Sequence, residues 1–301
     1  MRLVKATYGT NDVFKDVTKD VENLFINKQL AFLVSNKIFE DIKIDSIKYL
    51  NVEFENGLKI SQKEGNYFLY PEFNERVGIF YSNNYESDSI RKKSLNASLE
   101  SLKLLSKKNV RIVTSVWNAV PNNPFIELFS PIKVSCHLNQ VLQILQCLYF
   151  IRKNTNKVKY VSFLEHDCIY PEDYFNYDDF ECDSITNTNH IGLSKNGWQP
   201  KNHGIRPTSN IIMKFDRSIE HFENILPHAL LNNSGSLEPW YSKNEGRISL
   251  DWTNEDWECK NPSFHINHGH NFTQHFTTFK KIFSESNDYW GHYSKYSDLF
   301  S

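Results

Sequence analysis

Along the first seventy positions apolar residues alternate with polar ones, most clearly at Leu30, Phe32 and Val34 and again at Leu50, Val52 and Phe54. A period of two sends every second side chain to one face of an extended chain, so the pattern predicts half-buried β-strands. Asn56-Gly57 supplies the central pair of a tight hairpin, because both residues tolerate positive φ, and Leu58 and Ile60 resume the alternation. With Pro71 closing it, this stretch reads as a small all-β module over residues 1–74.

From Val77 the rhythm changes. Val77-Gly78-Ile79-Phe80, Val110-Arg111-Ile112-Val113 and Tyr160-Val161-Ser162-Phe163-Leu164 are apolar runs of strand length. Between the first two, Leu95, Leu99 and Leu102 recur at helical spacing after a cap at Ser87 or Asp88. Between the second and third, Leu138, Val141, Leu142, Leu145, Leu148 and Tyr149 mark an amphipathic helix. Strands separated by helices imply a parallel sheet, and residues 75–301 therefore read as one α/β domain. Asn210-Ile211-Ile212-Met213 adds a strand, with a helix following Asp216. Residues 176–208 and 232–275 are polar and aromatic with little periodicity, and read as long functional loops.

Composition narrows the function classes. A hydrophobic content of 40% over 301 residues is enough for two cores. Lys and Arg total 34 against 36 Asp and Glu, a net charge of −2, which excludes a global cationic field toward nucleic acid or membrane. No run approaches the ~20 apolar residues of a membrane span, and the N-terminal residues lack a signal-peptide core, so a cytoplasmic protein is expected. Five scattered cysteines without a Cys-x-x-Cys pair read as reduced thiols.

In a parallel sheet, ligands bind beyond the carboxyl ends of the strands. That rule selects Tyr81-Ser82-Asn83-Asn84, then Ser115 and Trp117, then Glu165-His166-Asp167. Acids at i and i+2 lie on one side of the chain, where they can hold a hard divalent cation. A solvated acidic turn is the plainer reading of such a triplet; its position at a strand tip favours the metal. Late in the chain His265, His268 and His270 surround Gly269, a composition suited to a loop folded over a ligand or a metal. Ordinary exposed loop histidines are the alternative.

The order of strand, acid-His-Asp-x-x-Tyr-Pro at Glu165–Pro171, polar aromatic insert, further strand and helix, and terminal His268-Gly269-His270-Asn271-Phe272-Thr273 resembles bacterial and phage GT-A glycosyltransferases. The resemblance spans about residues 76–301 and implies a GT-A-like nucleotide-binding sheet. It implies a metal shell of Glu165, Asp167 and His268, with His265 or His270 as the alternative late ligand, around Mn²⁺ or Mg²⁺. The first acid is Glu where the family carries Asp, which makes Asp167 the firmer ligand. A nucleotide-sugar donor follows, a uridine diphosphate sugar first among them, met by Tyr81, Ser82, Asn83, Asn84, Ser115, Trp117, His166, His270 and Asn271. Trp117 is equally a candidate core aromatic. For an inverting reaction the base is Glu238 or Asp256, acids that lie beside tryptophans suited to stacking on a sugar.

The acceptor stays open among glycan, protein, small molecule and a hydroxymethylated DNA base. For DNA, Lys107, Lys108 and Arg111 or Lys195, Lys201 and Arg206 supply phosphate contacts, although solvated surface charge explains each cluster as well. A non-catalytic nucleotide- or carbohydrate-binding protein and a metal-dependent phosphoryl-transfer enzyme are the competing classes. The chain has no Gly-x-x-x-x-Gly-Lys-Ser/Thr loop, which removes the usual NTPase form of the latter. Ala6-Thr7-Tyr8-Gly9 with Asp16-Val17-Thr18 is similar to a small β module appended to some DnaJ-type proteins and bacterial enzymes, which implies no catalytic role for it.

Overall fold

The computed structural model describes residues 3–26, 31–55, 57, 59–69, 73–83, 89–106, 110–120, 123, 125–134, 136–200, 208–231, 253–266 and 283–300. The chain divides into two compact units, Met1–Glu72 with Pro124–Ile126, and Phe73–Asn123 with Glu127–Ser301.

The first unit runs β1 (Leu3–Gly9), β2 (Phe14–Asp16), α1 (Thr18–Ile26), β3 (Ala31–Leu33), α2 (Asn36–Phe39), β4 (Tyr49–Phe54), β5 (Lys59–Lys63) and β6 (Tyr67–Leu69). Four strands form an antiparallel sheet in the order β2-β1-β4-β5, and β3 pairs with β6. The β4–β5 hairpin contains Gly57 at φ 81°, the left-handed region a tight turn requires. Alternation holds: Leu50, Val52 and Phe54 are buried, while Tyr49 and Asn51 are exposed. The unit is not all-β, however. Val17, Val21 and Leu24 fall at i, i+4 and i+7 and lay one face of α1 on the sheet, a spacing hidden between two strand-like stretches. At Gly9 the chain also leaves no room for a side chain, since a Cβ there would sit 2.2 Å from the Val13 carbonyl oxygen. Lys48 is buried in this unit and pairs with Asp41 at 2.8 Å and Glu64 at 3.7 Å.

The second unit runs β7 (Arg76–Ser82), α3 (Ser89–Ser106), β8 (Arg111–Val116), β9 (Ile126–Phe129), α4 (His137–Asn154), β10 (Tyr160–Glu165), β11 (Cys168–Ile169), β12 (Ser184–Asn187), β13 (His190–Ser194), β14 (Gly197–Pro200), β15 (Ile211–Lys214), α5 (Phe215–Leu231), β16 (Asn254–Trp257), β17 (Ser263–Ile266), β18 (Ser286–Asn287) and β19 (Gly291–His292). Its main sheet has the order β16-β12-β15-β10-β7-β8-β9, which is 7-5-6-4-1-2-3 in chain order within the sheet. β10, β7 and β8 are parallel, and β15 runs against both β10 and β12. From β7 the chain reaches β8 on one side through α3, then returns through α4 to β10 on the other. Right-handed crossovers in opposite directions put these helices on opposite faces. Accordingly α4 packs on β7, β8 and α5, whereas α3 packs on β8 and β11.

A smaller sheet of order β11-β17-β13-β14 is made from segments that read as loops in the sequence. Phe264 forms its apolar centre, with Trp198, Trp290 and Tyr296 set edge-on around it at 5.0–5.3 Å for the contacts to Phe264. Within those stretches the described residues 184–200 and 253–266 are therefore largely strand rather than loop. Their strands escape a periodicity test because the buried side chains include Ser184, Thr186, Asn187 and His190. These satisfy one another instead of pointing to water: Ser184 and Thr186 both donate to Asn254 Oδ1, at 2.7 and 3.0 Å.

Candidate functional site

In an open α/β sheet the ligand crevice is expected where the connections depart to opposite sides, which here is at the carboxyl ends of β7 and β10. Tyr81 and Glu165 are paired residues at those ends, and the Tyr81 hydroxyl donates to Glu165 Oε1 at 2.6 Å. Gln140 of α4 donates to the same phenol oxygen at 3.1 Å. One turn further along α4, the buried Gln143 amide donates to the carbonyls of Ser82 and Ser115, at 3.1 and 2.9 Å, and so ties the tips of β7 and β8 together. The polar residues at the start of an otherwise apolar helix face thus hold the rim of the crevice. The buried stripe that follows is Val141, Ile144, Leu145, Leu148 and Ile151; Tyr149, placed on it by sequence, is half exposed and donates to Glu223.

The turn after β10 is clamped from the other face. Ser98 on α3 donates toward the carbonyls of His166 and Cys168, at 2.9 and 2.7 Å, and the Glu165 N–H donates to the buried Tyr170 hydroxyl at 2.9 Å. Beyond the turn, β11 pairs with β17 in the register Cys168↔His265. Opposed residues of an antiparallel pair project to the same face, which brings the His265 ring to the acidic turn. Its Nε2 lies 3.6 Å from Asp167 Oδ2, and the Asp167 carbonyl accepts from Ile266 N–H at 2.7 Å. Both side chains keep a narrow opening, 12% exposed for Asp167 and 15% for His265. Cys168 Sγ sits 3.5 Å from His265 Nδ1 and 3.8 Å from Asp167 Oδ1. Among the described residues, one donor atom each from Asp167, Cys168 and His265 fall within 4.8 Å of one another. Burial first, then the charges of Asp167 and Glu165, push the Cys168 thiol well above its ordinary value.

The sequence-selected residues are placed as follows. Tyr81, Glu165 and Asp167 stand at the crevice. Glu165 is engaged with Tyr81 and is not part of the three-donor group, whereas Asp167 is. Asn83 lies within 2.9 Å of the Asn139 amide. With that amide turned so that its oxygen faces the indole, Asn139 accepts from Trp117 Nε1 at 2.8 Å. Trp117 and Ser115 are buried, and the Ser115 hydroxyl donates to Gln146 Oε1 at 3.1 Å, so both are built into the α4 interface. Ser82 is buried as well, and its backbone carbonyl is the Gln143 acceptor. His166 is half-buried on the clamped turn.

Asp256 is not brought to this place. It pairs with Thr186 on the outermost strand of the main sheet, three strands from β10, a lateral distance of about 14 Å. Asn84, Glu238, His268, His270 and Asn271 lie outside the described residues. The register of β17 brings His265, the alternative late ligand, to Asp167, while His268 lies outside the described residues. Cys168 joins them without a sequence signal beyond its place directly after the selected triplet.

No family model matches this chain, and no curated protein matches it. Among solved structures, a glycosyltransferase involved in the glycosylation of the major capsid of PBCV-1 aligns with 60% of this chain and 81% of its own, at 11% identity and a TM-score of 0.30. No helix among the described residues is long and apolar enough to cross a membrane.

Proposed function

We propose that the chain is a glycosyltransferase of the GT-A type, which moves a sugar from a nucleotide-sugar donor to an acceptor hydroxyl. The observation that supports this most is the meeting of Asp167 and His265 beside the Tyr81–Glu165 pair, at the crevice where an open α/β sheet binds its ligand. A carboxylate and an imidazole 3.6 Å apart fit a divalent cation, and Asp167 and His265 would hold it. Bound there, the cation would stabilise the charge that gathers on a departing diphosphate.

The remaining parts follow from the chain's own contacts. Tyr81 orients the Glu165 carboxylate, and Gln140, Gln143 and Ser98 fix the two strand tips so that little reorganisation accompanies binding. Asn83 and His166, at the outer edge of this frame, are the proposed contacts to the nucleoside. His268 as a further metal ligand and His270 and Asn271 as donor contacts follow from the sequence resemblance alone, since all three lie outside the described residues. A thermal-shift series with uridine, guanosine, cytidine and adenosine diphosphates, each with and without Mn²⁺, tests the reading. Metal-dependent protection by one of them is expected, followed by release of sugar from the matching nucleotide sugar. If none protects with Mn²⁺ or Mg²⁺ present, the proposal fails.

A further inference from the structure

The three-donor group differs from the pair of carboxylates that the acid-x-acid triplet suggests, because its third member is a thiol. We propose that Cys168 joins Asp167 and His265 as a protein ligand, so that the site prefers a thiophilic divalent ion of the zinc class to Mg²⁺. The proposal rests on reading the Asp167–His265 pair as a cation site and does not depend on sugar transfer.

Distances carry the argument. Ordinary bond lengths to zinc, about 2.3 Å for sulfur, about 2.0–2.1 Å for nitrogen and about 2.0–2.2 Å for oxygen, put tetrahedral sulfur and nitrogen donors about 3.5–3.6 Å apart and sulfur and oxygen donors about 3.5–3.7 Å apart. The corresponding separations here are 3.5 Å for Cys168 Sγ to His265 Nδ1 and 3.8 Å for Cys168 Sγ to Asp167 Oδ1, so an ion held with the thiol takes the histidine through Nδ1 and not through the Nε2 that lies 3.6 Å from Asp167 Oδ2; one donor atom from each of the three residues falls within 4.8 Å of the others. The register holds this arrangement: Cys168 and His265 face each other across β11 and β17, and Asp167 precedes Cys168 directly. An octahedral site for Mg²⁺ calls instead for oxygen donors and retained waters, and a sulfur with an imidazole is a poor match to it. Glu165, the oxygen ligand that would make the site hard, is engaged with the Tyr81 phenol. Formation of the metal–sulfur bond releases the thiol proton to solvent and changes no oxidation state.

Cobalt(II) is the probe, added to the full chain under reducing conditions without nucleotide. The expected result is saturable binding of one ion with a near-ultraviolet sulfur-to-cobalt charge-transfer band. Zn²⁺ should displace the cobalt and Mg²⁺ should not. Cys168→Ser should abolish the band and weaken cobalt binding by about 100-fold or more, beyond the loss typical of an outer-shell change. Cobalt that binds without the band, with the same affinity in C168S, overturns the thiol ligand and leaves the cation site standing. A band that persists in C168S assigns the sulfur to another cysteine and also overturns it. No cobalt binding at all overturns the proposal, while the reading under Proposed function is decided separately by metal-dependent protection with nucleoside diphosphate. Should C168S fail to fold, His265→Gln, at a partly open position, takes its place: the band must then weaken or shift, and an unchanged spectrum overturns the proposal.

Discussion

The two compact units bury different things. The first closes on an apolar cluster that runs from Leu3 and Tyr8 through Val52 and Phe54 to Phe68, and Lys48 is its buried charge among the described residues. The second buries serines, threonines, asparagines, a glutamine pair and histidines, many of them at or near strand ends. Burying a polar group is unfavourable unless it is hydrogen-bonded, so such groups accumulate where position matters more than stability. Ser98, Gln143 and the Tyr81–Glu165 pair illustrate this, since each holds a backbone carbonyl or a carboxylate at the rim of the crevice.

Four variants test this contrast, and the largest effect is expected in the second unit. Asp167→Ala should abolish metal-dependent protection by nucleoside diphosphate in a thermal-shift assay while the chain stays folded. Unchanged, still metal-dependent binding would remove Asp167 from the site. In the first unit, Phe68→Ala deletes a fully buried ring stacked 5.1 Å from Phe32 and should destabilise that unit by about 3–5 kcal/mol in denaturant unfolding. Nucleotide protection should persist, and its parallel loss would break the division of labour between the units.

A smaller change is expected from Tyr81→Phe, which removes the 2.6 Å hydrogen bond to Glu165. Charge-assisted bonds of this kind contribute about 1.5–3 kcal/mol, so nucleotide affinity should fall about tenfold or more, read by calorimetry. Wild-type affinity in this variant would mean that Glu165 needs no orienting partner. The smallest effect concerns Cys259, whose thiol donates to Asp173 at 3.3 Å and is pushed up to about 12, by burial first and then by the Asp173 charge. Unfolded, the thiol ionises near 9, so its contribution is full below that pH and is lost as pH rises toward 12. Cys259→Ser should flatten the alkaline fall of stability between those limits by a fraction of the ~1.4 kcal/mol per pH unit of a fully shielded group, measured by urea unfolding at stepped pH. An unaltered slope would show that the thiol already ionises in the folded chain.

What the sequence makes legible follows from the same contrast. Apolar runs and 3.6-residue spacing are enough to locate β7, β8, β10 and α4, and with them the strand tips at Tyr81 and Glu165-His166-Asp167. β12, β13 and β17 are not found this way, because their buried residues include polar ones that are hydrogen-bonded within the fold, such as His190 with Ser263 at 2.9 Å and Ser263 with Asn210 at 2.9 Å, and β16 has no fully buried residue to register. A hydrophobicity pattern registers such strands as loops. The position of His265 is closed to it for a related reason: which face a strand residue takes depends on the register with a partner strand distant in sequence, here β11. α1 was lost to its brevity, with one apolar face squeezed between two strands.

The small sheet has its latest strand in an inner position: β17 sits between β11 and β13, and His265 reaches Cys168 across a separation of 97 residues. During synthesis at about 5–20 residues per second, that interval lasts about 5–20 seconds, in which the acidic turn exists without its histidine. A nascent chain therefore passes through a stage with a formed strand tip and no completed site. On the proposed reading, metal and nucleotide binding would begin only after the segment around residue 266 has cleared the ribosome, and a chain truncated before it would lack the site even where its earlier strands had folded.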